Sequence, residues 1–310
     1  MFTAILWEAM PFIVLGAVVA GILEEFLPQQ LIGKVMPKAA LPAVIVGALL
    51  GLIFPMCECG IVVVMRRLLR KGLPLACCVA YMLAGPIVNV IVLLSTYKAF
   101  QGHQVGVEMV VYRAGFGVLT AIVTGLVVHY LEKKNGIAKL VTALAAPPKV
   151  KGLAMVDEEA EIARQPFFTR LGNIATTSLH DFMDITVYLI MGAILAAMAK
   201  MFLEPGSVER MSQDMPFLAI PAMMLLAVLM CLCSEADAFV AASFTQMHMS
   251  AKLAFLVLGP MFDLKLLLMY TRVFKKKLIF TIVIVVVLQV YAYMALFHLA
   301  AEHYPRIIQW

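Results

Sequence analysis

Charged residues are scarce in this chain of 310 residues, since Asp, Glu, Lys and Arg make up only 14% of it. A soluble domain carries roughly a quarter charged residues. Hydrophobic residues make up 63% of the chain, which leaves too little polar surface to cover a water-soluble globule. This composition excludes an ordinary soluble protein and indicates that lipid is the solvent.

The sequence also lacks the short motifs of the common enzyme classes. It contains no Walker phosphate loop, no dinucleotide-binding glycine pattern, no nucleophile elbow and no His-Glu-x-x-His pair. The cysteines lie in or beside apolar segments, unlike the disulfide framework of a secreted protein. The histidines are scattered, and methionine is best explained as core filling. We therefore expect no enzymatic activity, no catalytic residues, no cofactor and no metal site.

Long apolar runs dominate what is present. Several reach the roughly 20 residues that a helix needs to cross a hydrocarbon core. They fall at about residues 5–27, 40–65, 73–100, 108–131, 171–203, 216–245, 251–271 and 278–301. We predict an all-α, polytopic membrane protein with about eight transmembrane helices in two related four-helix halves with broken helices. The first run has no basic region before it, so we expect a retained helix rather than a cleaved signal.

A polar stretch at residues 132–170 divides the chain almost in half. It contains Pro147-Pro148 and the acidic run 157–159, and it favours a linker outside the membrane, with room for a short amphipathic helix. The predicted organisation is a first membrane repeat over 1–131, a polar cytoplasmic linker over 132–170 and a second membrane repeat over 171–310.

The two halves share a spacing between a Cys-x-Cys pair and a Gly-Pro pair. In the first half 27 positions separate Cys59 from Pro86, and in the second half 27 positions separate Cys233 from Pro260. Internal repeats of this kind are typical of transporters, whose binding site lies where the repeats meet.

Basic clusters at the ends of apolar runs are best explained as topology anchors. Four crossings per half make the repeats parallel and place Arg66-Arg67 and the linker on the cytoplasmic side. The cluster 275–277 then falls outside and breaks the positive-inside rule, unless a Cys-x-Cys segment is re-entrant. We expect His180-Asp181 and Asp184 to face the aqueous interface.

The Cys57-Glu58-Cys59 segment is the first candidate site. Pro55 and Gly60 favour an unwound backbone there, which is tolerated at membrane depth only inside protein or along a cavity. Residues two apart diverge by about 200° on an intact helix, so Cys57 and Cys59 can share a ligand only if the chain unwinds. Thiolates prefer soft ions and metalloids. The alternative is a packed pair of small side chains.

The second candidate is the segment that begins at Cys233 and contains Glu235 and Asp237. Carboxylates inside an apolar run cost about 2.5–3.5 kcal/mol at the bilayer centre and are functional candidates by default. We expect one of them to face the site and to carry a coupling proton. The alternative is that both are solvated near the interface. Glu58 is a further acid in the first half.

The third candidate is the repeated Gly-Pro pair, Gly85-Pro86 followed by Asn89 and Gly259-Pro260 followed by Asp263. Proline suits the first position of a new half-helix, whose free N–H groups can hold an anion. Asn89 and Asp263 are then expected one turn into the half-helix. A simple proline kink is the alternative.

Four stretches of the sequence resemble the bacterial predicted-permease family, which includes the YraQ-like proteins and the ArsP-type organoarsenical efflux permeases. They are residues 54–73 (FPMCECGIVVVMRRLLRKGL), 82–92 (MLAGPIVNVIV), 232–244 (LCSEADAFVAASF) and 258–260 (LGP). The resemblance spans nearly the whole chain. For members that export trivalent organoarsenicals it implies membrane cysteines as solute ligands, here Cys57, Cys59 and Cys233. Family members usually carry proline where Val63 and Val90 stand, which implies less rigid breaks in the first half.

We predict a permease or secondary transporter in the bacterial cytoplasmic membrane. Its partners are the lipid bilayer and a small solute, such as a thiophilic metalloid or organoarsenical, and not nucleic acid. Efflux is expected to be proton-coupled through Glu235, Asp237 or Asp263, in a homo-oligomer or with a partner subunit. One alternative is a membrane thiol-disulfide oxidoreductase that uses the two Cys-x-Cys pairs. Another is a membrane scaffold that docks through its linker.

Overall fold

The part of the chain that the computed structural model describes is helical, which confirms the predicted all-α fold. This part comprises residues 2–26, 37, 39–54, 56–103, 105–142, 145, 167–200 and 216–303. Extended pairing within it is one isolated antiparallel bridge between Val141 and Phe274. Within the described ranges, the stretches 75–100, 106–135 and 276–303 are long and apolar enough to cross a membrane, in agreement with a polytopic membrane protein.

The helices before the linker form the N-terminal half, and those after it form the C-terminal half. The N-terminal half contains α1 (Phe2–Phe26), α2 (Ala40–Ile53), α3 (Glu58–Arg70), α4 (Leu75–Val88), α5 (Val90–Phe100) and α6 (Gly106–Asn135). The C-terminal half contains α7 (Phe167–Lys200), α8 (Pro216–Met230), α9 (Ala236–Ser243), α10 (Met249–Leu258), α11 (Leu264–Val273) and α12 (Lys276–His303). Most of the predicted linker lies outside the described residues.

Helices α2 and α4 run in the same direction in close contact. A Cβ placed on Gly47 would lie 2.4 Å from the carbonyl oxygen of Cys77, and one placed on Gly51 would lie 2.5 Å from the Cα of Gly85. Advancing along α2 therefore means advancing along α4. Glycine is required at both positions because the two backbones approach too closely for a side chain.

Helix α3, which lies between them in sequence, runs the opposite way. Ile61, near its start, contacts Gly85, near the end of α4. The chain then reverses at Gly72, whose φ of 94° favours glycine, and α4 begins beside the end of α3. Residues 40–70 thus enter and leave at one end of the molecule. We call them the N-terminal hairpin, with its tip at Cys57 and Glu58.

Helices α4 and α5 follow each other end to end and together pack antiparallel to α6. A Cβ on Gly125 would lie 3.2 Å from the carbonyl oxygen of Ala76, and one on Gly117 would lie 2.8 Å from Ile87. Asn89 interrupts α4 and α5 where they join. Together they form one crossing with a break at its middle.

The C-terminal half contains a second hairpin. Phe217 at the start of α8 and His248 just before α10 both contact the ring of His298, with centroids 5.3 and 5.2 Å apart. Near the other ends of these helices, a Cβ on Gly259 would lie 3.7 Å from Ala227. Helices α8 and α10 therefore run in the same direction, and α9 returns between them. We call residues 216–243 the C-terminal hairpin.

The long helices of the two halves pair antiparallel. Tyr112 of α6 contacts Phe297 of α12 at 4.9 Å between centroids, and Gln289 Nε2 donates to Thr124 Oγ1 at 3.2 Å. Each half thus combines long helices with one hairpin that enters and leaves at a single end. The apolar stretches 40–65 and 216–245 are these hairpins.

The hairpins give the basic clusters a common location. The end of the molecule where α3 ends and α4 begins is called the basic end, and the other is called the opposite end. Lys275 Nζ donates to Ala138 O at 2.7 Å, which places the start of α12 beside the end of α6. The cluster 275–277, which four crossings per half would separate from the others, therefore lies with them. The basic end carries Lys71, Lys133, Lys134, Lys139, Arg170, Arg272, Lys275, Lys276 and Lys277.

Candidate functional site

The breaks between half-helices meet at the centre of the molecule. The Ser234 hydroxyl at the tip of the C-terminal hairpin donates to Glu58 at the tip of the N-terminal hairpin, at 3.4 Å. Lys265 in the first turn of α11 donates to the same carboxylate at 2.9 Å. We call this region the central site. It comprises Glu58, Arg113, Ser234, Asp237, Asp263 and Lys265.

The first break brings two thiols together. Cys57 is extended, with φ −70° and ψ 168°, and α3 begins at the next residue. Its thiol lies close enough to that of Cys59 to interact with it, and both side chains are fully buried. The sequence predicted an unwound point here. The contribution of Pro55 lies outside the described residues.

The second Cys-x-Cys segment is also irregular. Cys231 has φ 48° and is the one non-glycine residue with positive φ in the described ranges. Its thiol donates to Val228 O at 3.2 Å and lies near the backbone N–H groups of Leu264 and Lys265. The strained residue therefore joins α8 to the start of α11. Cys233 is buried two positions later.

Asn89 and Asp263 perform the same task in the two halves. The Asn89 side chain accepts from the N–H of Ile91 at 3.0 Å, and the Asp263 side chain accepts from the N–H of Leu266 at 2.6 Å. Each is the N-cap of the half-helix that follows, a position where Asn and Asp are strongly preferred.

The expected position of these half-helices was wrong by about one turn. Pro86 lies inside the last turn of α4, and Pro260 lies in the turn after α10. The new helices begin only after Asn89 and Asp263, which are caps and not residues one turn into the helix. The cap decides the start because its side chain satisfies a free N–H, whereas proline only removes one.

Lys265 is the principal cation of the central site. Its side chain is fully buried, 2.9 Å from Glu58 and 3.6 Å from Asp263. It also lies within electrostatic range of the thiols of Cys59 and Cys233. Lys265 and Glu58 come from different halves, so this ion pair ties the halves together.

A second buried ion pair also crosses between the halves. Arg113 of α6 contacts Asp237 of α9 at 2.9 Å, and neither side chain is more than 3% exposed. The same guanidinium donates to Ser234 O at 3.1 Å and to Thr96 Oγ1 at 2.6 Å. It therefore holds the tip of the C-terminal hairpin against α5 and α6.

Among the described residues that are most deeply buried at the central site, acids outnumber bases. The acids are Glu58, Asp237 and Asp263, and the bases are Arg113 and Lys265. These five are at most 2% exposed, and Glu235 is half-buried. Uncompensated charge at this depth costs several kcal/mol per ion, so the imbalance favours uptake of a proton or another cation.

The glycines of the two Gly-Pro pairs have different surroundings. Gly85 packs α4 against the N-terminal hairpin, with Ile61 2.6 Å from where its Cβ would be. Gly259 lies closer to the central site, since an Asp237 oxygen is 3.9 Å from its Cβ position. The structure thus gives Gly85 a packing position and brings Gly259 near a buried acid.

The cysteines divide into two groups. Cys77 and Cys78 lie on α4, where Cys77 packs against Gly47 and Cys78 donates to Leu73 O at 3.9 Å. They are small packed side chains. Cys57, Cys59, Cys231 and Cys233 lie at the hairpin tips, and none of the six forms a disulfide. The described ranges contain no group of three His, Cys, Asp or Glu residues suited to hold a metal ion.

Three functional candidates were missed or undervalued in the sequence. Arg113 and Lys265 are bases within apolar runs, and Glu58 was noted only as a further acid. The same signal that selected Asp237 applied to both bases, since a charge inside an apolar run marks a functional site. What the sequence concealed was the pairing, because the partners are 124 and 207 positions apart.

A second charged cluster lies between the central site and the basic end. The expectation that Asp181 faces water was wrong, because its side chain is fully buried and pairs with Arg66 and Arg67. Asp184, a quarter exposed, pairs with Arg272 at 3.0 Å. We call these five residues the basic-end cluster. Burial of the Asp181 carboxylate without a partner would carry a large desolvation cost, and the ion pairs with the two arginines offset it. Arg66 and Arg67 therefore do more than anchor the topology.

The two ends of the molecule differ in openness. The basic-end cluster borders a cavity of only about 10 Å³. At the opposite end, a cavity of about 320 Å³ reaches the surface near Glu302 and is bordered by His248, His298 and Lys252. We call it the opposite-end vestibule. The cavity beside the basic-end cluster is therefore much smaller than the opposite-end vestibule.

An all-helical membrane fold whose broken helices meet at buried ion pairs is typical of the membrane permeases. The chain belongs to the predicted permease family, whose sequence pattern matches residues 1–299. The family resemblance seen in the sequence is therefore confirmed.

Two relatives agree with this assignment. The UPF0718 protein YcgR of Bacillus subtilis is 37% identical over 292 residues, covering 94% of this chain and 93% of the relative. A protein of Streptococcus mutans, named as a subunit of a two-component membrane permease complex, is 32% identical over 279 residues, covering 90% and 87%. No solved structure matches the chain. The chain is an integral membrane protein of the permease class.

Proposed function

We propose that the protein is a secondary transporter that moves a small solute through the central site. The observation that carries this proposal is the meeting of the two hairpin tips with the start of α11. Two ion pairs join the halves there, Glu58 with Lys265 and Arg113 with Asp237. Transporters place substrate and coupling ions at such interrupted helices near the bilayer midplane.

The two halves act as repeats of inverted topology, with membrane repeats over 1–131 and 171–310 and a linker over 132–170. Three observations support this arrangement. Each half has one hairpin, each has one broken helix, and Asn89 and Asp263 cap equivalent half-helices. Hairpins that return to their own end leave an odd number of crossings per half, which inverts the second half relative to the first.

The basic end faces the cytoplasm of a bacterium, and the protein lies in its inner membrane. The positive-inside rule supports this orientation, because most lysines of the described loops lie at that end. A homo-oligomer or a partner subunit is compatible with this arrangement. The relative named as part of a two-component permease complex favours a partner subunit.

Transport is coupled to protons by the acids Glu235, Asp237 and Asp263. The excess of acids over bases around the central site supports proton uptake there, and no nucleotide motif supports an ATP-driven pump. Purified protein in proteoliposomes tests this with a pH-sensitive dye and the variants E235Q, D237N and D263N. Unchanged proton coupling in all three variants excludes the role.

The solute is a thiophilic metalloid, such as a trivalent organoarsenical, that is exported and so confers arsenical resistance. Cys57, Cys59 and Cys233 support this, since their thiols lie at the hairpin tips. Vesicle uptake of a trivalent organoarsenical should fall strongly in C59S and remain near wild type in C77S, the matched buried cysteine. Equal loss in both variants would contradict the assignment.

A membrane thiol-disulfide oxidoreductase is the second candidate, and the contact between the Cys57 and Cys59 thiols favours it. A dithiol of this kind can cycle to a disulfide only with an external electron acceptor. Thiol trapping during turnover separates the two functions. A transporter keeps Cys57 and Cys59 reduced throughout, whereas an oxidoreductase accumulates the disulfide form.

A further inference from the structure

An apolar groove of about 660 Å³ runs between α11 and α12 from mid-depth to the basic end. Its walls are hydrophobic side chains, among them Phe280, which is 68% exposed. Two lysines, Lys276 and Lys277, close its mouth. The groove therefore joins an apolar channel to a positive rim at the membrane surface.

The positive rim is available for a ligand. Lys276 and Lys277 are exposed, and within the described ranges neither side chain has an acidic partner. Lys275, in contrast, is already bonded to Ala138 O at 2.7 Å. Helix α12 also begins at Lys276, so free N–H groups of its first turn add partial positive charge at the mouth.

The length of the groove suits a lipid tail. Along α12 it extends from Lys276 to Val283, which is roughly 10 Å at 1.5 Å per residue. That distance is about two thirds of one leaflet of a 30 Å hydrocarbon core. A second large groove offers a contrast, since it is apolar like the first but has no charged residue in its lining.

We propose that the α11–α12 groove is a binding site for an anionic phospholipid. One acyl chain lies along Leu268 and Phe280, and the phosphate of the headgroup contacts Lys276 and Lys277. Basic pockets between membrane helices recognise anionic headgroups by the same charge complementarity. The groove leads to Phe262, next to the N-cap Asp263, so a bound lipid would brace α11 beside the central site.

Native mass spectrometry of the detergent-solubilised full chain tests the proposal with phosphatidylglycerol and phosphatidylcholine of identical acyl chains. Wild type should retain phosphatidylglycerol preferentially. K276Q/K277Q should lose about 30-fold of that preference, which is about 1 kcal/mol per lysine. K133Q/K134Q is the matched control, because Lys133 and Lys134 are an exposed pair at the same end on α6. It should keep the wild-type preference.

A second pair of variants tests the groove itself. L268W fills the α11–α12 groove and should lower the amount of bound phosphatidylglycerol several-fold. L288W places the same bulk in the uncharged groove and should not. Three results overturn the proposal: an unchanged preference in K276Q/K277Q, an equal loss in K133Q/K134Q, or displacement of the lipid by inorganic phosphate alone.

Discussion

Lys265 shows how much a single residue can decide in a low-dielectric interior. Its ammonium group is fully buried and has Glu58 and Asp263 as its acidic neighbours. Removing one partner of a buried ion pair leaves the other charged and unsolvated, whereas removing both leaves no charge. Variants of Lys265 and Glu58 therefore test the central site without knowledge of the solute.

We predict that K265M lowers the stability of the protein by about 3–5 kcal/mol, because Glu58 is left without its principal cation. The double variant E58Q/K265M should recover the part of that loss that comes from Glu58, while Asp263 still lacks its cation. Thermal unfolding in detergent measures both. R170Q is the control, since the Arg170–Glu25 pair is more exposed than the Lys265–Glu58 pair and its loss should cost less. Additive losses in the double variant would show that the pair does not interact.

Cys231 provides a second test at the residue scale. Its positive φ is disfavoured for every residue except glycine, by roughly 1–2 kcal/mol. We predict that C231G is at least as stable as C231A, although glycine usually lowers stability relative to alanine. Both variants lose the thiol, so the difference reports the backbone alone. A C231G variant with a clearly lower melting temperature than C231A would show that the backbone at residue 231 is not strained.

At the scale of elements, the starts of α5 and α11 depend on side chains more than on the prolines nearby. We predict that N89A lowers stability by about 1 kcal/mol, because an N–H of α5 loses its acceptor. N89S should retain most of the stability, since serine is also a good cap. Melting temperatures of the two variants provide the comparison. Equal losses in both would show that the amide contributes through something other than capping.

The basic-end cluster links α3 to α7 and α11, and its loss should loosen that end. We predict that D181N exposes Cys59 to a membrane-impermeant maleimide added from the basic end, since Arg66 and Arg67 lose their shared carboxylate. Mass spectrometry of labelled vesicles locates the modified cysteine. E25Q is the control, because Glu25 pairs with Arg170 outside the cluster. Equal labelling of wild type and D181N would rule out a sealing role.

Much of this organisation was predictable from local sequence. Apolar runs predicted the helices, and the repeated Cys-x-Cys and Gly-Pro segments predicted the breaks to within about one turn, because proline, glycine and buried polar residues weaken a helix locally. The direction that the chain takes after each break was not predictable. The segment 40–70 is long enough to cross a membrane, and its return depends on contacts with α4 at Gly47, Gly51 and Gly85.

Ion-pair partners were unpredictable for the same physical reason. Asp181 follows a histidine at the beginning of an apolar run, a context typical of an aqueous interface. It is buried because α3 presents two arginines to it from more than 110 positions away. The local sequence shows that burial of a charged side chain is unfavourable. Only the fold shows which oppositely charged residues offset that cost.

At the scale of the whole molecule, the arrangement of the loops makes a prediction about sidedness. Single cysteines introduced as K134C and K277C should react with an impermeant maleimide from the same side of the membrane, and K98C should react from the other side. This follows because Lys134 and Lys277 lie at the basic end and Lys98 lies near the end of α5. Opposite labelling of K134C and K277C would contradict the hairpin topology.

The meeting of the hairpin tips has an electrical consequence. Each hairpin helix has only 8–15 residues, so neither hairpin spans the bilayer alone, and the two tips meet where Ser234 donates to Glu58. Where water enters from an end, as the opposite-end vestibule permits, the membrane voltage falls mainly across the layer that remains dry. A complete crossing of the membrane changes the free energy of one elementary charge by roughly 2.3 kcal/mol per 100 mV. A charge that crosses only the short dry layer then gains nearly the same free energy.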